Sequence, residues 1–250
     1  MFYTRIPCPK NIDHSPDYIN KATRYFPLIG WIVGIISFLV FWICSLVFDT
    51  NLAAILSILA GILVTGAFHE DGLADVVDGF GGGWTKAKIL DIMKDSRVGA
   101  FGVIALIFMI LIKYISLNKI FSSIDDDDHL FASLIFISYH SLARITAINI
   151  VFTSNYVRDD ENSKAKPVAK DYNVKEIFLA FIFGLTPLFI LCVYKWYFIF
   201  VTIPLLFLNF YSKYYFEKWI DGYTGDCLGA VEQFGECICL LTYVAIWRYI

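Results

Sequence analysis

Charge is the scarcest ingredient of this 250-residue chain. Only 17% of its residues are Asp, Glu, Lys or Arg, whereas 58% are hydrophobic and the mean hydropathy is +0.64. Soluble domains carry about 25% charged and about 45–50% apolar residues, so an ordinary soluble domain is excluded. Paired cysteine motifs are also lacking. Cys8, Cys44, Cys192, Cys227, Cys237 and Cys239 form no C-x-x-C unit and no zinc-like spacing, so neither a disulfide framework nor a zinc site follows from them. The opening MFYTRIPCPKNIDHSPDY has no apolar core of the kind a cleavable signal needs. Internal repeats are absent, and no nucleic-acid module is visible.

What is there is a series of apolar runs, several of them reaching the ~20 residues that cross a bilayer. They predict seven spans, near 26–48, 52–68, 99–118, 130–152, 174–194, 196–212 and 228–247, in an all-α polytopic membrane bundle that forms one domain over 1–250. Lys and Arg alternate between the connecting segments as four, none, four, two, five, one, two and one, with Lys113 counted beside Lys119. By the positive-inside bias the N-terminus is cytoplasmic, and residues 69–98, 153–175 and 213–227 share the cytoplasmic face. The DDDD run at 125–128 then reads as a solvated external loop.

The second span runs directly into FHEDGLADVVDGFGGG. Asp71, Asp75 and Asp78 are spaced i, i+4, i+7 and fall on one helical face. Three like charges on one face repel, the more so beside lipid, and a divalent cation relieves the conflict. Hard oxygen ligands point to Mg²⁺ or Mn²⁺. Glu70 points about 100° away from Asp71 and is expected behind the ligands, with His69 as a flanking hydrogen-bonding group. Downstream, KILDIMKDSRVGAFG places Asp91 and Asp95 on one face with Lys94 and Arg97 beside them. Carboxylates that hold metal, with a lysine and an arginine nearby, suit phosphoryl transfer. GFGGGW between the two helices reads equally as a phosphate-approaching backbone and as a flexible linker.

A second polar island, DGYTGDCLGAVEQFGE at 221–236, offers Thr224, Asp226 and Gln233, with Glu232 and Glu236 again i, i+4 inside a span. Arg144 lies inside the fourth span. Ionisable residues within a membrane are functional candidates, and Arg144 needs either an acidic partner or an anionic ligand.

HEDGLADVVDGFGGG, followed by KDSRVGAFG and GYTGDCLGA, resembles the cobalamin synthase family, as does the opening FYTRIPCP. The matches run in order from Phe2 to Gln233. The resemblance implies attack of α-ribazole, or its 5′-phosphate, on the cobinamide-linked phosphorus of adenosylcobinamide-GDP, with GMP leaving and Mg²⁺ required. It implies Glu70, Asp71, Asp75 and Asp78 as the metal cluster, and Asp75, Asp78, Asp95 and Arg97 as the catalytic group. Lys94, Arg144, Thr224, Gly225, Asp226 and Gln233 follow as substrate-binding residues, Lys94 and Arg97 on the diphosphate. It further implies the cytoplasmic membrane of a bacterium or archaeon, with a second copy of the chain or other cobalamin-assembly enzymes as candidate partners. Asp221 stands where the family often has glycine. The chain also begins almost on Thr-Arg-x-Pro, where relatives carry a longer apolar lead-in, so a further amino-terminal element is expected.

Two other readings compete. The CDP-alcohol phosphotransferases share D-x-x-D-G and D-x-x-x-D, here Asp75, Asp78, Gly79, Asp91 and Asp95, but their Ala-Arg after the glycine is replaced by GFGGGW. A cation-coupled transporter would use the acids as an ion site, which is expected near the membrane midplane between repeated halves.

Overall fold

The computed structural model describes residues 4–7, 22–122, 128–157 and 173–248. Phe2 and Cys8 of the opening signature, Asp125 to Asp127, and Arg158, Lys164, Lys166 and Lys170 lie outside them. The described residues form nine α-helices and no β-strand: α1 (Phe26–Ser45), α2 (Thr50–Thr65), α3 (Phe68–Gly82), α4 (Lys86–Ile92), α5 (Ala100–Phe121), α6 (His129–Thr153), α7 (Val174–Tyr194), α8 (Thr202–Ile220) and α9 (Gly225–Trp247). Among the described residues six helical segments are long and apolar enough to cross a membrane, and there are seven if the bent pair of α2 and α3 counts as one span.

Local chemistry sets the helix starts. Asp49 accepts the Leu52 N–H at 3.0 Å to cap α2, and Asp128 accepts the Phe131 N–H at 3.1 Å to cap α6. Asn173 and Glu176 form a reciprocal capping box on α7. The sixth predicted span, 196–212, is longer than expected: a 3-10 turn at Trp196–Val201 leads straight into α8, which continues to Ile220.

α6 is the axis of the bundle. Ser138 to Ile148 are buried without a break, so this helix faces protein on all sides. α1 reaches it through Gly30 and Gly34, where an added Cβ would stand 2.7 Å from the His140 carbonyl oxygen and 2.6 Å from the Ile137 Cα. Such a small-xxx-small stripe lets two membrane helices approach backbone to backbone. Outward-facing Leu39, Ile43, Phe108, Leu111, Phe189 and Phe207 are exposed, as lipid-facing residues should be.

The two ends of the bundle differ. At one end, Arg5 N–H donates to the Val64 carbonyl (2.8 Å), Lys86 pairs with Asp221 (3.0 Å), Ser154 with Glu217 (2.8 Å), and Tyr223 N–H donates to Asn155 O (2.9 Å). Those contacts gather the amino-terminal segment, the α2–α3 and α4–α5 region, the end of α6 and the α8–α9 turn. At the other end Asn51 accepts from Tyr114 and Asn118, and Trp42 meets His129. Alternation of the connecting segments therefore holds in the structure.

Candidate active site

The acidic segment does not continue the second span. Gly66 (φ 73°) and Ala67 (φ 59°) are both left-handed, and they turn the chain by 89° from α2 into α3. Glycine adopts this conformation freely, whereas Ala67 holds it at a cost of about 1 kcal/mol. α3 then packs on the start of α9 through two glycines. A Cβ on Gly72 would lie 3.0 Å from the Asp226 backbone, and one on Gly229 would lie 3.1 Å from the His69 carbonyl. The HEDG and TGD motifs, about 150 positions apart in the chain, are thereby in backbone contact.

The four acids of α3 have separate fates. Asp71 is exposed and Asp75 half-buried. Asp78 is buried, and its carboxylate accepts from Gly99 N–H (2.6 Å) and Gly102 N–H (2.9 Å). Gly99 is the N-cap of α5 and brings no side chain to the task, so Asp78 caps α5 from another helix. Glu70 is buried on the far side, where it lines a cavity of about 20 Å³ with Ser37, His140 and Lys113. Sequence spacing put Asp71, Asp75 and Asp78 on one face, but it could not show that the rim of that face is sunk into the bundle.

The KDSR loop is attached to this helix by the Asp78 cap. Within the loop, Arg97 clasps Asp95 with Nε at 3.0 and 3.1 Å and Nη2 at 2.5 Å. The guanidinium and the Arg97 backbone N–H hold the Asp95 carboxyl down at about 2, and the carboxylate in turn raises Arg97. Lys94 is exposed beside them. Asp91 pairs with Lys88 at 3.1 Å, on the surface. In the TGD turn, Thr224 is buried and caps α9 by accepting the Cys227 N–H (3.3 Å), and nothing stands within 4 Å of where a Gly225 Cβ would be. Asp226 is half-buried in the first turn of α9.

Arg144 and Gln233 lie elsewhere, in a charged core between α3, α5, α6 and α9. Arg144 Nη2 is 2.7 Å from Glu232 and its Nη1 3.5 Å from Glu236, so the acidic partner it requires comes from α9. Lys113 donates to Gln233 (2.6 Å) and to Glu236. His140 Nδ1 is 2.5 Å from Glu236, and His69 Nε2 is 2.8 Å from Glu232 without hydrogen-bond alignment. Lys113, counted above with a connecting segment, is instead buried at 4% exposure. Glu232 and Glu236, placed within a span, call for cations, and Arg144, placed within the fourth span, was the available signal. His140 carried none.

Among the described residues no three His, Cys, Asp or Glu side chains converge as a ready-made metal centre. Asp71 and Asp75 nevertheless fit Mg²⁺, which is commonly held by one or two carboxylates and completes its shell with water and substrate phosphate. Glu70 and Asp78, engaged with the interior cavity and with α5, fit that role less well.

Fold and site together define a polytopic membrane protein that gathers carboxylates, cations and a glycine-opened turn at one end of its bundle. The chain matches the family model described as cobalamin-5-phosphate synthase over residues 1–244, and it belongs to that family. It is 40% identical over 245 residues to the adenosylcobinamide-GDP ribazoletransferase of Shewanella frigidimarina, covering 98% of this chain and 92% of that protein. It is 39% identical over 245 residues to the protein of the same name from Shewanella oneidensis, covering 98% and 91%. No solved structure matches the chain.

Proposed function

We propose that this protein transfers the cobinamide-phosphate part of adenosylcobinamide-GDP to α-ribazole, or to its 5′-phosphate. The ribazole hydroxyl attacks the cobinamide-linked phosphorus, the bond to the bridging oxygen breaks, and GMP departs. One proton is released from the attacking hydroxyl. The observation that carries this reading is the meeting of α3 and the TGD turn through Gly72 and Gly229, in a chain whose relatives bear the ribazoletransferase name.

Asp71 and Asp75 would hold Mg²⁺, which supplies charge neutralisation on the diphosphate oxygens. Thr224 fixes the start of α9, and Gly225 leaves room beside it for substrate. A proton acceptor works best near the operating pH, and Asp95 at about 2 is far from it. Asp95 therefore acts on Arg97, holding its guanidinium in place, while Lys94 faces the diphosphate. By the lysine and arginine bias the site faces the cytoplasm, with the bundle in the cytoplasmic membrane. Glu232 and Glu236 are closed by Lys113, Arg144 and two histidines, and this disfavours the transporter reading.

The test supplies the purified, detergent-solubilised chain with adenosylcobinamide-GDP, α-ribazole and Mg²⁺. GMP should appear only when all three are present, and Asp75→Asn should lower its rate by about 10²–10³-fold with the protein still folded. Folded wild-type protein that releases no GMP would overturn the proposal.

A further inference from the structure

The Thr-Arg-Ile-Pro motif at Thr4–Pro7 resembles the family signature but has so far carried no role. In the structure it lies on the elbow that aims α3. Arg5 N–H donates to the Val64 carbonyl in the last turn of α2 (2.8 Å). Its side chain crosses Gly66, where an added Cβ would meet Arg5 Nε at 2.3 Å and Cγ and Cδ at 3.1 Å. Gly66 has φ 73° as well, so both the turn and the arginine stem require glycine there. Asp71 follows one turn beyond the elbow, its N–H bonded to the Ala67 carbonyl (2.9 Å).

Several other cations of the chain are already engaged by carboxylates. Arg97 is committed to Asp95, Lys86 to Asp221, Lys88 to Asp91 and Arg144 to Glu232. Arg5 is exposed and has no acidic partner among the described residues. It is also pinned by its backbone bond and by the Gly66 contact, so less side-chain freedom is lost when it binds. A planar guanidinium presents paired N–H groups that match phosphate oxygens, which an ammonium cannot do.

We propose that Arg5 binds the diphosphate of the donor substrate, across the elbow from Asp71. This rests on the donor being a nucleoside-diphosphate conjugate, as proposed above. Arg97, paired with Asp95, then serves the loop more than the donor.

The decisive variant is Arg5→Met, which keeps an apolar stem over Gly66 and removes the charge. Arg5→Lys restores charge without the fork. Steady-state rates are measured with each substrate varied in turn, and GDP·Mg²⁺ binding is measured separately by calorimetry. In Arg5→Met the KM for adenosylcobinamide-GDP and the Kd for GDP should rise about 10- to 100-fold. The KM for α-ribazole and the thermal unfolding midpoint should not move, and Arg5→Lys should recover part of the loss. The proposal is overturned if both KM values rise together, if GDP binds the variant as it binds wild type, or if only thermal stability falls. GDP binding needs no turnover, so a wild type that binds GDP yet releases no GMP would sink the proposed reaction alone. A wild type that binds no GDP would sink the role of Arg5.

Discussion

Asp71 and Asp75 on α3 share one spacing with Glu232 and Glu236 on α9, and the two helices pack against each other. Yet Asp71 is exposed and Asp75 half-buried, whereas Glu232 and Glu236 are buried among Lys113, Arg144, His69 and His140. A carboxylate in lipid must be matched within the protein, and α5 and α6 supply the matching cations. At the bundle end the Asp71 carboxylate faces solvent instead. An i, i+4 acid pair therefore has no meaning of its own; the facing helix decides whether it is structure or site.

The largest predicted effect breaks the closed pair. Arg144→Ala strands Glu232 and should cost about 3–5 kcal/mol, read as a lower unfolding midpoint and a lower yield of solubilised protein. Arg144→Met combined with Glu232→Met should recover most of that loss, because an apolar replacement of both partners leaves no unpaired charge. A double variant as unstable as the single one would mean that the core is held by something other than charge pairing.

A smaller effect belongs to the cap that joins the two regions. Asp78→Asn removes charge-assisted bonds to Gly99 and Gly102 and should cost about 2 kcal/mol. Gly99→Ala should act similarly with every acid in place, since its Cβ would fall 2.4 Å from an Asp78 oxygen. Both variants should speed tryptic cleavage after Lys94 and Arg97. If Asp78→Asn exposes the loop and Gly99→Ala leaves it protected, the cap is not what holds it.

The helical periods and the series of long apolar helices were legible in the chain, because bilayer length and apolar runs leave little choice. The shared face of Asp71 and Asp75 was legible for the same reason, since helical spacing is geometry. The elbow was not. Its second residue is Ala67 in a left-handed conformation that alanine disfavours, so no residue preference marks it. The buried settings of Asp78 and Glu70 were not legible for a related reason. Periodicity reports which residues share a helix face, and it does not report which neighbouring backbone or cavity that face meets. Lys113 lay near the predicted end of its span, which hid its pairing with Glu236.

The smallest effect concerns pH. The Asp95 carboxyl lies at about 2 in the folded chain, against 3.8 ordinarily. A depressed carboxylate contributes what stability it has above its unfolded value and loses it as pH falls through the folded one. The Asp95–Arg97 clasp should therefore be constant from pH 5 to 9. The pH dependence of the donor KM in that window should have the same shape in Asp95→Asn as in wild type. A change of shape would assign Asp95 a titrating role.

The Asp71 and Asp75 pair is best tested by metal binding itself. Mn²⁺ can be titrated by electron paramagnetic resonance into the folded wild type, the Asp71→Asn/Asp75→Asn pair, Asp78→Asn and Glu232→Gln, with GDP present. The Asp71/Asp75 variant should lose at least about tenfold in Mn²⁺ affinity, and the other two should stay within about twofold of wild type. Wild-type affinity in the Asp71/Asp75 variant, or a loss that appears instead in Asp78→Asn, would contradict the account.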